Sequence, residues 1–107
     1  MAEARRTETP EMRRLRRRID ALDRRVVELL AERTRLGLEM GAAKAAVGRR
    51  AVRDVDRERE VLLRVAAANT GPLPQAELLA LYRRLIAATR RLETDARRHS
   101  ADPDPAA

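Results

Sequence analysis

Arg33, Gly37, Gly41 and Lys44 follow one another at steps of four, four and three. At about 100° per residue, that spacing keeps all of them on nearly one side of a helix. Tyr82, Ile86, Thr89 and Glu93 repeat the pattern later in the chain. In the first group two cations flank two glycines, and a glycine inside a helix costs up to ~1 kcal/mol relative to alanine. Something must therefore lie close to the backbone there. One reading is an anion held between the cations. The other is a closely packed helix, with Arg33 snorkelling to water. In the second group an apolar stripe runs on into the polar pair Thr89 and Glu93, either as the lining of a site or as the stripe's exit into solvent. Of the 24 basic residues only Lys44 is a lysine. Its compact ammonium carries three rotatable donors, a geometry that a planar guanidinium does not reproduce. The chain has no cysteine, which excludes a disulfide scaffold, a zinc ribbon and a thiol nucleophile. The single histidine, His99, lies near the end of the chain and is given no role.

These groups must be positioned by helices. Ala, Leu, Arg and Glu dominate the composition, while the β-branched and aromatic residues that strands prefer are rare. Thr9-Pro10 reads as an N-cap followed by a proline in the first helical position. From there Met12, Leu15, Ile19, Leu22, Val26, Leu29, Arg33, Leu36, Met40, Ala43 and Val47 alternate in steps of three and four, a heptad seam that Gly48 ends. A helix of about 37 residues is roughly 55 Å long, against the ~30 Å of a 20-residue helix or a small domain. Such a helix overhangs its own domain, and a second copy related by a two-fold axis is the simplest cover for its seam. After a basic loop from Arg49 to Arg53, Asp54 or Asp56 caps a second helix, which stops at Asn69-Thr70-Gly71-Pro72. A third helix is predicted from about Pro74 to Arg97, with Leu78, Leu79, Tyr82, Leu85, Ile86, Thr89 and Leu92 along one side. The expected organisation is one all-α domain over residues 10–98, between a disordered N-terminus at 1–9 and a disordered tail at 99–107.

The net charge of +7 points to an anionic partner: nucleic acid, a membrane surface or a small anionic ligand. With a single aromatic residue, Tyr82, and no recognisable DNA-reading motif, nucleic acid is disfavoured. Arginines such as Arg17, Arg24, Arg83 and Arg90 read as solvated helix faces, often near Asp or Glu. No apolar run approaches the ~20 residues that span a bilayer. The opening MAEARRTETPEMRR lacks the apolar core of a signal peptide. A soluble, cytoplasmic protein with no membrane partner is expected.

The ordered motifs resemble those of the all-helical chorismate mutases. They begin with Leu15-Arg16-Arg17-Arg18-Ile19-Asp20-Ala21-Leu22-Asp23, followed by Leu29-Leu30-Ala31-Glu32-Arg33 and Gly41-Ala42-Ala43-Lys44. Val52-Arg53-Asp54-Val55-Asp56-Arg57-Glu58, Asn69-Thr70-Gly71-Pro72-Leu73 and Tyr82-Arg83-Arg84-Leu85-Ile86-Ala87-Ala88-Thr89 continue the series. The similarity covers residues 12 to about 95. It implies a three-helix protomer with a long first helix, intertwined as a homodimer with two sites. The reaction it implies is the Claisen [3,3] rearrangement of chorismate to prephenate on the route to Phe and Tyr, with no cofactor and no metal.

By position, the resemblance makes Arg16 a contribution to the neighbouring protomer's site, where Arg16 and Arg33 bind the substrate's carboxylates. Lys44 then donates to the ether oxygen, Asp54 and Glu58 hold the ring-hydroxyl region with Arg57 beside them, and Thr89 stands near the ring carboxylate. Glu93 occupies the place where most bacterial members have Gln, the second donor to the ether oxygen. A glutamate donates only when protonated. Desolvation beside Ile86 would raise its pKa and Lys44 and Arg33 would lower it. Isochorismate pyruvate lyases and aminodeoxychorismate mutases resemble the same family, and the Arg49-Arg50 loop and Glu93 fit either. A basic helical dimer that binds nucleic acid or a protein is the non-enzymatic alternative. Some small relatives are activated by a larger enzyme of the same pathway, which makes such an enzyme a further candidate partner.

Overall fold

The computed structural model describes residues 7–50 and 52–101. Its elements are three α-helices: α1 over Pro10–Ala46, α2 over Val55–Ala68 and α3 over Gln75–Ala101. This is the predicted all-α fold with a long first helix. The chain divides inside α1 into two units, the first ending at Arg35 and the second beginning at Leu36.

In the first unit, Thr9 stays outside the helix. Its Oγ1 accepts from the Met12 amide at 3.1 Å, and its carbonyl accepts from the Arg13 amide at 3.0 Å. Pro10 is the first helical residue, where the missing N–H has no bond to make. Glu11 sits in the first turn, at the positive end of the helix, and pairs with Arg14 at 2.6 Å. The seam from Met12 to Leu29 is exposed throughout; Ile19 keeps 54% of its surface and Leu22 60%.

The second unit opens with the end of α1. The Gly48 amide bonds to the Ala45 carbonyl at 3.0 Å, and the Arg49 amide reaches the Lys44 carbonyl at 3.0 Å. Gly48 has φ 79°, the left-handed conformation that lets this paired cap form without a Cβ penalty. Asp54 caps α2, its Oδ1 accepting from the Arg57 amide at 3.0 Å. Asn69 ends it and organises the turn to α3, donating from Nδ2 to the Leu73 carbonyl at 3.0 Å. α2 and α3 pack through half-buried Val61, Leu62 and Val65 on one side and Leu78, Leu79, Tyr82, Leu85 and Ile86 on the other.

Among the described residues no large apolar side chain is fully buried, and the buried positions are Gly41 and Thr89. α3 runs through Ala101, so His99, Ser100 and Ala101 are helical and not part of a tail. The sequence explains the extension, since the first breaker after the stripe is Asp102-Pro103. Residues 1–6 and 102–107, most of the two segments expected to be disordered, lie outside the described residues. Among the described residues no helix is long and apolar enough to cross a membrane.

Candidate active site

Gly37 and Gly41 of the first face meet Thr89 and Glu93 of the second within the second unit. A Cβ placed on Gly37 would lie 2.6 Å from Thr89 Cγ2, closer than real Cβ atoms approach. A Cβ on Gly41 would meet Glu93 Cγ at 3.1 Å, Cδ at 3.2 Å and Oε2 at 3.3 Å. The glycines therefore make room for α3. The close packing expected of the glycines is present, and what packs there is the polar pair Thr89 and Glu93. Thr89 is 6% exposed, and its hydroxyl donates to the Leu85 carbonyl one turn earlier at 3.0 Å, which satisfies it inside its own helix.

Glu93 is half-buried. Desolvation raises its pKa above the ordinary carboxylate value, although Lys44, Arg97 and Arg90 each pull it down. The sequence left two effects opposed, and burial is the larger. A glutamate so placed holds its proton at higher pH than a solvated one, and with the proton it is a donor.

The second polar cluster joins α2 to α3. Arg90 Nη1 donates to Glu58 Oε1 at 2.6 Å, with side-chain exposures of 28% and 20%. Arg53 Nε lies 3.5 Å from Glu58 Oε2. Arg90, read from sequence as a solvated face, is instead a half-buried crosslink between helices. A hollow of about 410 Å³ opens beside this pair, with Glu58, Leu62, Ile86 and Arg90 in its wall, a volume suited to a small molecule. Arg57 pairs with Glu60 at 3.4 Å, and the Asp54 carboxylate is engaged as the α2 cap.

Arg97, absent from the sequence-derived set, donates from Nη1 to the carbonyls of Arg49 and Arg50, each at 2.8 Å. Its only sequence signal is its place one turn beyond Glu93. The structure thus brings together Lys44, Thr89 and Glu93 around the glycines, and Glu58 with Arg90 and Arg53 at the start of α2. Arg16 and Arg33 belong to the first unit, where Arg16 pairs with Glu8 and Arg33 is half-buried. Among the described residues no cluster of His, Cys, Asp or Glu is arranged to hold a metal ion.

A family model described as chorismate mutase type II matches residues 15–94. A bifunctional chorismate mutase/prephenate dehydratase from Stutzerimonas stutzeri is 34% identical over 91 residues, covering 81% of this chain and 25% of that protein. The protein of the same description from Aquifex aeolicus is 32% identical over 87 residues, 78% of this chain and 24% of its own. This chain therefore spans a quarter or less of these curated relatives. Among solved structures, a chorismate mutase (form II) from Thermus thermophilus superposes with a TM-score of 0.73 at 32% identity, covering 78% of this chain and 94% of that one.

Proposed function

The chain belongs to the chorismate mutase type II family, and we propose that it catalyses the rearrangement of chorismate to prephenate as a homodimer. The observation that carries this reading is the notch at Gly37 and Gly41, which seats Thr89 and Glu93, whose pKa burial raises, against the helix that bears the only lysine.

The reaction breaks the ether C–O bond and forms a C–C bond within one molecule, with no nucleophile and no group transferred. Catalysis then consists of holding the chair-like conformer and aiming donors at the oxygen on which negative charge grows. Lys44 is one donor and protonated Glu93 the second. Glu58, held by Arg90, accepts from the ring hydroxyl, with Asp54 and Arg57 near by. Arg33 and Arg16 of the partner subunit take the substrate's carboxylates. The exposed seam supports the dimer: full burial of one Leu or Ile is worth roughly 1.5–3 kcal/mol, and along α1 these side chains remain about half in water. A cytoplasmic role in aromatic amino acid biosynthesis is the setting that this activity implies.

The test is the loss of chorismate's ultraviolet absorbance with purified protein, followed by identification of the product. Prephenate supports the proposal. Pyruvate release from isochorismate, without chorismate turnover, would assign the fold to lyase chemistry. No turnover of either compound by a folded dimer favours the binding-protein alternative.

A further inference from the structure

We propose that Arg97 is a positioning residue for this reaction, clamping the end of α1 and the following loop onto α3 so that Lys44 is held beside Glu93. The inference rests on the proposed activity for its catalytic consequence, but the clamp itself stands on geometry alone. Arg97 Nη1 donates to the Arg49 and Arg50 carbonyls at 2.8 Å each, and Nη2 approaches the Gly41 carbonyl at 3.5 Å. These acceptors bracket Lys44: Gly41 lies one turn before it, and the loop begins just after its own turn closes. The Lys44 carbonyl is itself tied into that loop, accepting from the Arg49 amide at 3.0 Å. One guanidinium therefore fixes the lysine's helical turn from both ends.

The chemistry of the fork suits the place. Arg49 and Arg50 lie in the loop beyond α1, where backbone carbonyls have no helical donor and take one from elsewhere. A guanidinium offers five N–H groups in a rigid plane and reaches acceptors that a single ammonium cannot span. Arg97 also stands one turn beyond Glu93 on α3, so its charge acts on that carboxyl. The charged groups facing Glu93 are Lys44 from α1 and Arg90 and Arg97 from α3, and Glu58 of α2 partly neutralises Arg90 at 2.6 Å. Arg97 is the member of this set that ties position and charge together.

Arg97→Gln and Arg97→Lys separate the two effects. Hydrogen exchange at the Gly48 and Arg49 amides reads the clamp without reference to activity. Both variants should exchange faster there than the wild type, while amides in the middle of α2 are unchanged. For catalysis, both should lose on the order of ten- to a hundredfold in kcat, the scale of a misplaced donor. Only Arg97→Gln removes a cation that favours the ionised carboxyl. Its Glu93 should therefore keep the proton to higher pH, moving the alkaline limb of kcat/KM upward, whereas Arg97→Lys keeps the limb in place. Unchanged exchange at Gly48 and Arg49 in both variants would overturn the clamp. Faster exchange with wild-type kcat and an unmoved limb in Arg97→Gln would reduce Arg97 to a structural role and overturn its part in the reaction. Failure of the wild type to turn over chorismate would count against the proposed activity, with the exchange data still deciding the clamp.

Discussion

In the proposed reaction Lys44 and Glu93 both donate to one oxygen, and each role has its own test. The contribution of Lys44 depends on the shape of its ammonium, a compact centre with three rotatable donors. Lys44→Ala should lower kcat by at least ~10², the usual loss for one donor aimed at a developing oxyanion. Lys44→Arg should not restore it, because the planar fork cannot take the ammonium's place. Steady-state kinetics on the two variants, with circular dichroism to confirm the fold, checks both. The proposed role of Glu93 depends on its proton. Its pKa is raised by burial against the pull of Lys44, Arg97 and Arg90. Below that pKa it is a neutral donor, and above it a carboxylate faces the growing negative charge. Activity should therefore be greatest on the acid side and fall as pH rises through the raised value. Glu93→Gln should flatten the profile and increase kcat/KM near pH 8; superimposed profiles from pH 5 to 9 would remove Glu93 from the reaction. Spacing singled out Gly37, Gly41, Lys44, Thr89 and Glu93, because a lone lysine among arginines and two glycines between cations are unusual in a helix, whereas the donor roles come from the family resemblance. Spacing did not single out Arg90 and Arg97. In a chain so rich in arginine, helical spacing tells which face a guanidinium occupies but not which acceptor another element brings to it. The acceptors of Arg97 are loop carbonyls, which have no sequence signature.

The elements were read well where the sequence contains a physical stop. Thr9-Pro10 starts α1, Gly48 ends it through a positive φ, and Asp54 caps α2 as its side-chain oxygen suggests. α3 overran its expected end because its apolar stripe fades before its backbone signal does. The stripe marks which face is covered, whereas only a proline or a cap marks where the helix must stop. The contact between α1 and α3 at Gly37 gives a prediction of its own. Gly37→Ala gains up to ~1 kcal/mol in helix propensity but places a Cβ 2.6 Å from Thr89 Cγ2, and overpacking of this kind costs about 1–3 kcal/mol. The net effect should be destabilising, on the order of 1 kcal/mol. Thr89→Ser removes the clashing methyl while keeping the hydroxyl, so the double variant Gly37→Ala/Thr89→Ser should recover the loss. Urea unfolding of the four proteins measures the coupling. Additivity within a few tenths of a kcal/mol would mean that the two helices do not meet there. At Gly41 the obstacle is the Glu93 side chain, from Cγ to Oε2, at 3.1–3.3 Å. A Cβ there would displace the Glu93 carboxyl, so the same substitution should affect activity more than stability.

At the scale of the whole molecule, the apolar seam and the assignment of Arg16 make a joint statement that neither makes alone. No described large apolar residue of the isolated chain is fully buried, and Met12, Leu15, Ile19, Leu22, Val26 and Leu29 lie open along α1. A monomer leaves that surface to water, whereas a two-fold dimer covers it with the same surface of a second copy. If each site takes its Arg16 from the other chain, two inactive variants should complement one another. Arg16→Ala and Lys44→Ala homodimers each lack one group at both sites. In the mixed dimer, the chain bearing Arg16→Ala keeps its own Lys44 and receives a normal Arg16 from its partner, so one site is whole and the other lacks both groups. Random exchange makes half of all dimers mixed, so an equal mixture should regain about a quarter of wild-type activity, the fraction set by two-fold symmetry. Exchange is verified by mass spectrometry of the intact dimers, and Leu22→Glu, which places a charge on the seam, should abolish both dimer and rescue. Verified mixed dimers that stay inactive would mean that each site draws its arginines from a single chain.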